Sequence, residues 1–90
     1  MKNWLKCKIS SGQFTGEFAI QGSLFNNSDF SMFAEKEYLE FTENPTDDHP
    51  VDGWIRVETL DKKDNLFLVA LPQPTFENGQ IITVKAEMLK

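Results

Sequence analysis

Apolar and polar side chains alternate in this chain with a period of two, in short runs cut by turn-forming residues. In LKCKI, residues 5 to 9, Leu5, Cys7 and Ile9 share one phase, and Lys6 and Lys8 share the other. That period fits a strand with one buried face and no regular helix. The runs are too short for helices of the roughly 12 residues that begin to hold in water alone. The chain is therefore expected to be built of strands. Its 90 residues predict one domain, 1–90. A domain this size buries only roughly 60% of its unfolded surface. Eight Phe and two Trp supply bulky core material for it.

The same reading continues along the chain. Ser10-Ser11-Gly12 reads as a turn. In FTGEFAIQG, Phe14, Phe18 and Ile20 share a face with Gly16, which predicts a bulge or a close backbone approach at the glycine. Asn26-Asn27-Ser28 signals a turn that joins this strand to FSMF, residues 30 to 33, as a hairpin. AEKEYLEF, residues 34 to 41, mixes helix formers with Tyr38 and Phe41 at i, i+3 and predicts a single helical turn. GWIRVETL alternates again, with Ile55 and Val57 in one phase and Trp54, Arg56 and Glu58 in the other. Asp61 to Asn65 reads as a polar hairpin loop. LFLVAL, residues 66 to 71, is continuously apolar, so both its faces are expected to be covered. Pro72 and Pro74 are read as ending that strand, and Asn78-Gly79 as a turn before IITVK, the last strand. No internal repeat, low-complexity tract or linker is apparent.

Five to six short strands with at most one helical turn predict an all-β domain, a single small antiparallel barrel. Closure removes exposed strand edges, which favours a barrel at this length. The run GWIRVETLDKKDNLFLVALP followed by ENGQIITVKAEML resembles the ending of SH3-like barrels. There a hairpin is followed by a turn, a short strand, a helical turn and a last apolar residue, here Leu89. The likeness covers roughly residues 53 to 89 and implies the fold alone. The peptide-binding members carry paired tyrosines near the N-terminal strand, and this chain has one tyrosine, Tyr38. Proline-peptide binding is not implied. The run SSGQFTGEFAIQG also resembles small bacterial proteins, and no function is carried over from that likeness.

Charge excludes some partners. Nine basic against fourteen acidic residues give −5. Nucleic-acid binding is driven mainly by neutralising phosphates with Lys and Arg. The one Arg, Arg56, and the near-terminal Lys2, Lys6 and Lys8 fall short of a basic face. An anionic membrane surface is disfavoured for the same reason. The single cysteine, Cys7, forms no internal disulfide, and the stretch MKNWLKCKISSG lacks a signal-peptide apolar run. A cytoplasmic location is the expectation.

Residues 42 to 53, TENPTDDHPVDG, gather Asp47, Asp48 and Asp52 around the only histidine, His49. Calcium loops need carboxylates at fixed alternating places with Gly at the sixth and Glu at the twelfth, and this stretch lacks that spacing. Zinc needs three or four Cys or His ligands, with carboxylates as supplements. Only His49 and Cys7 are present, on different elements. An acidic connecting loop is the expectation; Asp48, His49 and Asp52 form the alternative metal-dependent or catalytic site. Cys7 lies in the apolar phase of its strand, which fits a core residue and not a nucleophile. No nucleophile elbow, phosphate loop or cofactor motif is present, so no enzyme and no cofactor are expected.

Aromatic residues outside the core phase carry the binding expectation. Trp4 shares the polar phase with Lys6 and Lys8, and Trp54 stands beside Arg56. Exposed Trp near Arg is the composition of a contact hot spot. Trp4, Trp54, Arg56 and Phe33 are the candidate binding residues. Their expected role is contact with an unidentified protein partner or with a second copy. The chain then acts as a non-catalytic interaction module or accessory subunit.

Overall fold

The computed structural model describes residues 2–90. It is all-β, with eight strands and two single 3₁₀ turns in the order β1 (Trp4–Ser11), β2 (Glu17–Ser23), β3 (Asp29–Glu35), a 3₁₀ turn (Lys36–Tyr38), β4 (Leu39–Glu40), β5 (Val51–Arg56), β6 (Glu58–Lys63), β7 (Leu66–Thr75), β8 (Gly79–Lys85) and a second 3₁₀ turn (Ala86–Met88). All pairings between these strands are antiparallel. The strands form a five-stranded sheet of order β3-β2-β1-β5-β4 and a three-stranded sheet of order β6-β7-β8. Neither sheet closes on itself, so the expected single barrel gives way to two open sheets packed chiefly through β3 and β7. Val57, buried and donating its N–H to the Asn3 carbonyl at 2.7 Å, links β5 of the first sheet to β6 of the second.

The two halves of the chain are built alike. Trp4, Leu5, Lys6 and Cys7 in β1 correspond to Trp54, Ile55, Arg56 and Val57, each fifty positions on. Met32 and Ala34 in β3 correspond to Ile82 and Val84 in β8, and Leu39 corresponds to Leu89. The ladders repeat with the residues. Phe18↔Ala34 and Ile20↔Met32 in the first half recur as Phe67↔Val84 and Val69↔Ile82 in the second. Lys8↔Gln21 and Ile9↔Ile20 recur as Glu58↔Ala70 and Thr59↔Val69. Each 3₁₀ turn closes with the next leucine N–H donated back to its first carbonyl: Leu39 to Lys36 and Leu89 to Ala86. A pseudo-two-fold axis passes through the pair Leu5↔Ile55, because the flanking pairs Trp4↔Arg56 and Lys6↔Trp54 exchange under it. Leu39 pairs with Ile55, and Leu89 bridges Leu5. Each half thus finishes the other half's first strand. The repeat escapes inspection because identities are few and the offset drifts. It is fifty at β3 and forty-nine at β2, and Leu60 is an extra residue where the β6 register shifts.

The core follows this symmetry. Leu5 and Ile55, Ile20 and Val69, Met32 and Ile82, Ala34 and Val84, and Leu39 and Leu89 are all buried. Each large apolar side chain buried this way contributes about 1.5–3 kcal/mol. Phe30 has no counterpart of its size, and it fills the first half beneath Gly22, where a Cβ would lie 2.5 Å from its ring. Glu77, in the β7–β8 turn, accepts hydrogen bonds from the Ser31 N–H (2.8 Å) and hydroxyl (2.5 Å) and ties that turn to β3.

Other local expectations meet the structure differently. Asn27 takes φ 67 in the turn between β2 and β3, and Gly79 takes φ 74 at the start of β8, as turns there require. Gly16 takes φ 84 in the turn before β2, not inside a strand. Asp61 to Lys63 belong to β6, which leaves Asp64, at φ 56, and Asn65 as the turn. β7 runs through Pro72 and Pro74, and its pairing with β8 lapses between Ala70 and Thr75. The prolines therefore mark an interruption in the ladder instead of a strand end. LFLVAL is covered on one face only, since Leu68 is exposed along with its outer-face neighbour Ile81. A second 3₁₀ turn exceeds the single one expected. No helix among the described residues is long and apolar enough to cross a membrane.

Two outcomes are expected. At Gly53 a Cβ would collide with Ile9 Cδ1 and lie 2.8 Å from the Glu40 carbonyl. Gly53→Ala should cost about 1–3 kcal/mol, the usual penalty of overpacking, measured by urea unfolding. The Ser31 hydroxyl and then its N–H hold the Glu77 carboxyl below the usual range. A depressed native carboxyl contributes stability above its unfolded-state value and loses it as pH falls through the native value. Glu77→Gln should therefore lessen the loss of stability on acidification, read from unfolding curves at successively lower pH.

Candidate functional site

The β1–β5 pair sets one face of the molecule. Alternation sends Leu5, Cys7, Ile9, Gly53 and Ile55 inward, all buried. Trp4, Lys6 and Lys8 on β1, and Asp52, Trp54 and Arg56 on β5, point outward. Their register places Trp4 opposite Arg56, Lys6 opposite Trp54 and Lys8 opposite Asp52. Trp4 exchanges backbone hydrogen bonds with Lys90 on its far side, at 3.0 and 2.9 Å. The three outward pairs are therefore the non-hydrogen-bonded pairs of the β1–β5 ladder, in which side chains stand closest, with Cα atoms about 4.5 Å apart. Each tryptophan faces a cation across the strands.

Lys90 joins this face from the other side of β5's neighbour. Its ammonium lies 4.7 Å from the centre of the Trp54 ring and 2.8 Å from Glu40 Oε1. Glu40 and Lys90 occupy matching places in the two halves, so this ion pair spans the pseudo-two-fold axis. Lys8 and Asp52 form the second ion pair, at 2.7 Å. The hydrogen bond and charge of Lys8 hold the Asp52 carboxyl below its usual range. Both pairs are well exposed, where such contacts are worth little to stability. The Glu40–Lys90 pair sets the Lys90 ammonium beside the Trp54 indole. Trp4 and Trp54 are half-buried, and Lys6 and Arg56 are exposed.

Three of the four expected binding residues therefore meet: Trp4, Trp54 and Arg56. Phe33 does not join them. It lies on edge strand β3, half-buried, with its ring 5.3 Å from that of Phe76 in an edge-on contact. Lys6, Glu40 and Lys90 complete the face and were not picked out from sequence. Lys6 is legible in the alternation once β1 and β5 are known to pair. Lys90 has no local signal, because its partners are long-range contacts.

The acidic loop is arranged otherwise. Asp48 and His49 are exposed in the connection between β4 and β5, whereas Asp52 belongs to β5 and engages Lys8. Asp47 accepts a hydrogen bond from the Ser11 hydroxyl, and Thr46 caps the loop through its hydroxyl to the His49 N–H. Among the described residues, no three or more His, Cys, Asp or Glu side chains come close enough together to hold a metal ion. Cys7 is buried, and burial first, then the Asp52 charge, pushes its thiol up to about 12. It holds its proton at neutral pH and is no thiolate nucleophile.

Lys90→Ala should change stability by less than about 1 kcal/mol, as exposed pairs do, while shifting the Trp54 indole signal in nitrogen–proton spectra. The thiol gives a pH signature of opposite sign to Glu77. Its raised native value means that folding keeps a proton which the unfolded chain releases near the ordinary thiol value. Stability from this source is complete below that ordinary value and falls as pH rises above it. A Cys7→Ala variant should lack this alkaline decline in urea unfolding, whatever its cost in packing. Compared with protein-family models, curated proteins and solved structures, the chain finds no match in any of the three.

Proposed function

We propose that this chain is a cytoplasmic protein-interaction module or accessory subunit that works by contact and not by catalysis. The carrying observation is the outward face of β1 and β5, where Trp4, Lys6, Trp54 and Arg56 alternate across two paired strands. Half-buried indoles offer large, rigid, amphipathic contact area at low entropic cost, and Trp and Arg dominate binding hot spots. The core phase of both strands is filled by other residues, so the indoles are not needed to close it. The order of hairpin, strand, 3₁₀ turn and final leucine in each half fits the closing elements of SH3-like domains, a fold used widely for contact. The cytoplasmic reading is supported by the lone, buried cysteine.

Trp4→Ala, Trp54→Ala and Arg56→Ala should each weaken capture of the native partner from host extract, and the first two should do so most. Circular dichroism of all three should match the parent. If the tryptophan variants unfold while Arg56→Ala still captures fully, the face is structural and the proposal fails.

A further inference from the structure

The outer face of the second sheet is apolar where a solvated sheet face is ordinarily polar. Phe67, Val69 and Leu71 of β7 are buried, yet Leu66, Leu68 and Ala70 on its other face are apolar as well. A continuously apolar strand is the pattern of one covered on both sides. Within the chain only one side is covered. Leu68 is 38% exposed, and Ile81 on the neighbouring β8 is 53% exposed. Leu60, the extra residue of β6, is exposed at the edge of the same sheet.

The matching face of the first half shows what cover looks like. There the apolar residue is Phe33, and Phe76 from the opposite half lies edge-on against it at 5.3 Å. The counterpart of Phe76 is Phe25. Each donates its N–H to an edge strand of the other half, Phe76 to the Ser31 carbonyl and Phe25 to the Thr83 carbonyl. Phe25 nevertheless leaves Ile81 and Leu68 open. The second half thus has more apolar surface on this face and less of the chain to hide it.

The charges around the face decide what fits on it. At one end Lys63 and Lys85 flank Leu66. At the other, Glu58 and Ile81 flank Ala70. Leu68 lies midway, between Asp61 and Thr83. Among the described residues Glu58 and Lys63 have no ion-pair partner. The face is therefore basic at one end, acidic at the other along β6, and apolar between. Such a surface complements itself when a second copy is turned end for end.

A two-fold axis that crosses the strands at Leu68 makes that turn. It lays β6 over β6, Lys63 of each copy over Glu58 of the other, and Leu68 over Leu68. Packed sheets stand about 10 Å apart, within reach of long side chains at the rim. Asp61 faces its own counterpart at the solvated edge, with Lys63 beside it on the strand. The alternative two-fold axis, along the strands, would set Lys63 against Lys85 twice. A groove of about 190 Å³ passes over Leu66 and Leu68 and offers a seat to Leu68 of the second copy.

We propose that the outer face of β6, β7 and β8 is a self-association surface, on which two copies of this chain pack two-fold about Leu68 and pair Glu58 with Lys63. The tryptophan face lies on the first sheet and stays open in both copies, so the dimer offers it twice. The surface holds fewer residues than the roughly 20–30 per partner of a standard interface, so the dimer is weak and reversible.

The test is sedimentation equilibrium of the full chain from about 10 μM to about 1 mM, the range in which so small an interface associates. Nitrogen–proton spectra are recorded on the same dilution series. The average mass should rise toward that of a dimer, and the amides of Leu68, Ile81 and Thr83 should shift with concentration. Leu68→Asp should raise the dissociation constant at least about tenfold, because the change enters the interface twice. Lys63→Glu and Glu58→Lys should each raise it roughly fivefold. The two together should restore it, which no loss of fold can imitate. A chain that stays monomeric to the top of the range overturns the proposal. So does association that shifts Trp4 and Trp54 instead, or that Leu68→Asp leaves unchanged. A double variant that fails to recover overturns the Glu58–Lys63 pairing and with it the two-fold arrangement.

Discussion

The pairing of Leu5 with Ile55 is the contact from which the rest of the molecule is laid out. Both residues are fully buried, and each is flanked on its other side by a leucine from the opposite half. Leu39 closes against Ile55 and Leu89 against Leu5, so four apolar side chains lie in a row across the axis. Remove that row and neither half has a finished strand edge. The exchange of terminal leucines makes the two halves one cooperative core instead of two stacked units. It also explains why the interior needs no polar networks: among the described residues the one buried polar side chain is Thr75, which is bonded within its own turn to Gly79 and Asn78.

The two halves match inside and differ outside. The interior positions keep their apolar character, because a core tolerates volume-conserving exchange and little else. The outer faces differ. Ala19, Gln21 and Ser31 on β2 and β3 stand where Leu68, Ala70 and Ile81 stand on β7 and β8. Lys8 stands where Glu58 does, and Glu40 where Lys90 does. The last exchange turns two matching sites into an ion pair beside one indole, Trp54, and gives the face a direction that its scaffold lacks.

Sequence reading reached the elements whose signal is local. Period-two alternation located the strands around Leu5, Ile20, Ile55 and Ile82, and it placed Cys7 inside and both tryptophans outside. Asn27 and Gly79 were legible as turns because their residue types tolerate positive φ. What was lost depends on pairing. Closure into a barrel was inferred from the cost of open edges, but two open sheets meet that demand by packing on each other. Full coverage of LFLVAL was inferred from its composition, which does not say whether a second layer lies above Leu68. Phe33 shares a phase with exposed residues, yet Phe76 arrives from the β7–β8 turn to cover it. The repeat lay below the threshold of inspection because only positions such as Trp4 and Trp54, Phe18 and Phe67, and Leu39 and Leu89 kept their identities. The extra residue Leu60 and the unequal turns broke the frame.

The pseudo-two-fold register has a cost in assembly. The strand that Leu5 seeks is near the middle of the chain, so the central pairing forms only after a long loop has closed, which slows folding. Meanwhile β1 of a second molecule offers Trp4, Leu5 and Lys6 in the places of Trp54, Ile55 and Arg56, though Asn3 and Lys2 would stand where Gly53 and Asp52 face Cys7 and Lys8. A newly made chain therefore meets a partial imitation of its own second half in every neighbour, and the Lys8–Asp52 and Cys7–Gly53 pairs are what favour the partner within the chain over domain exchange between copies.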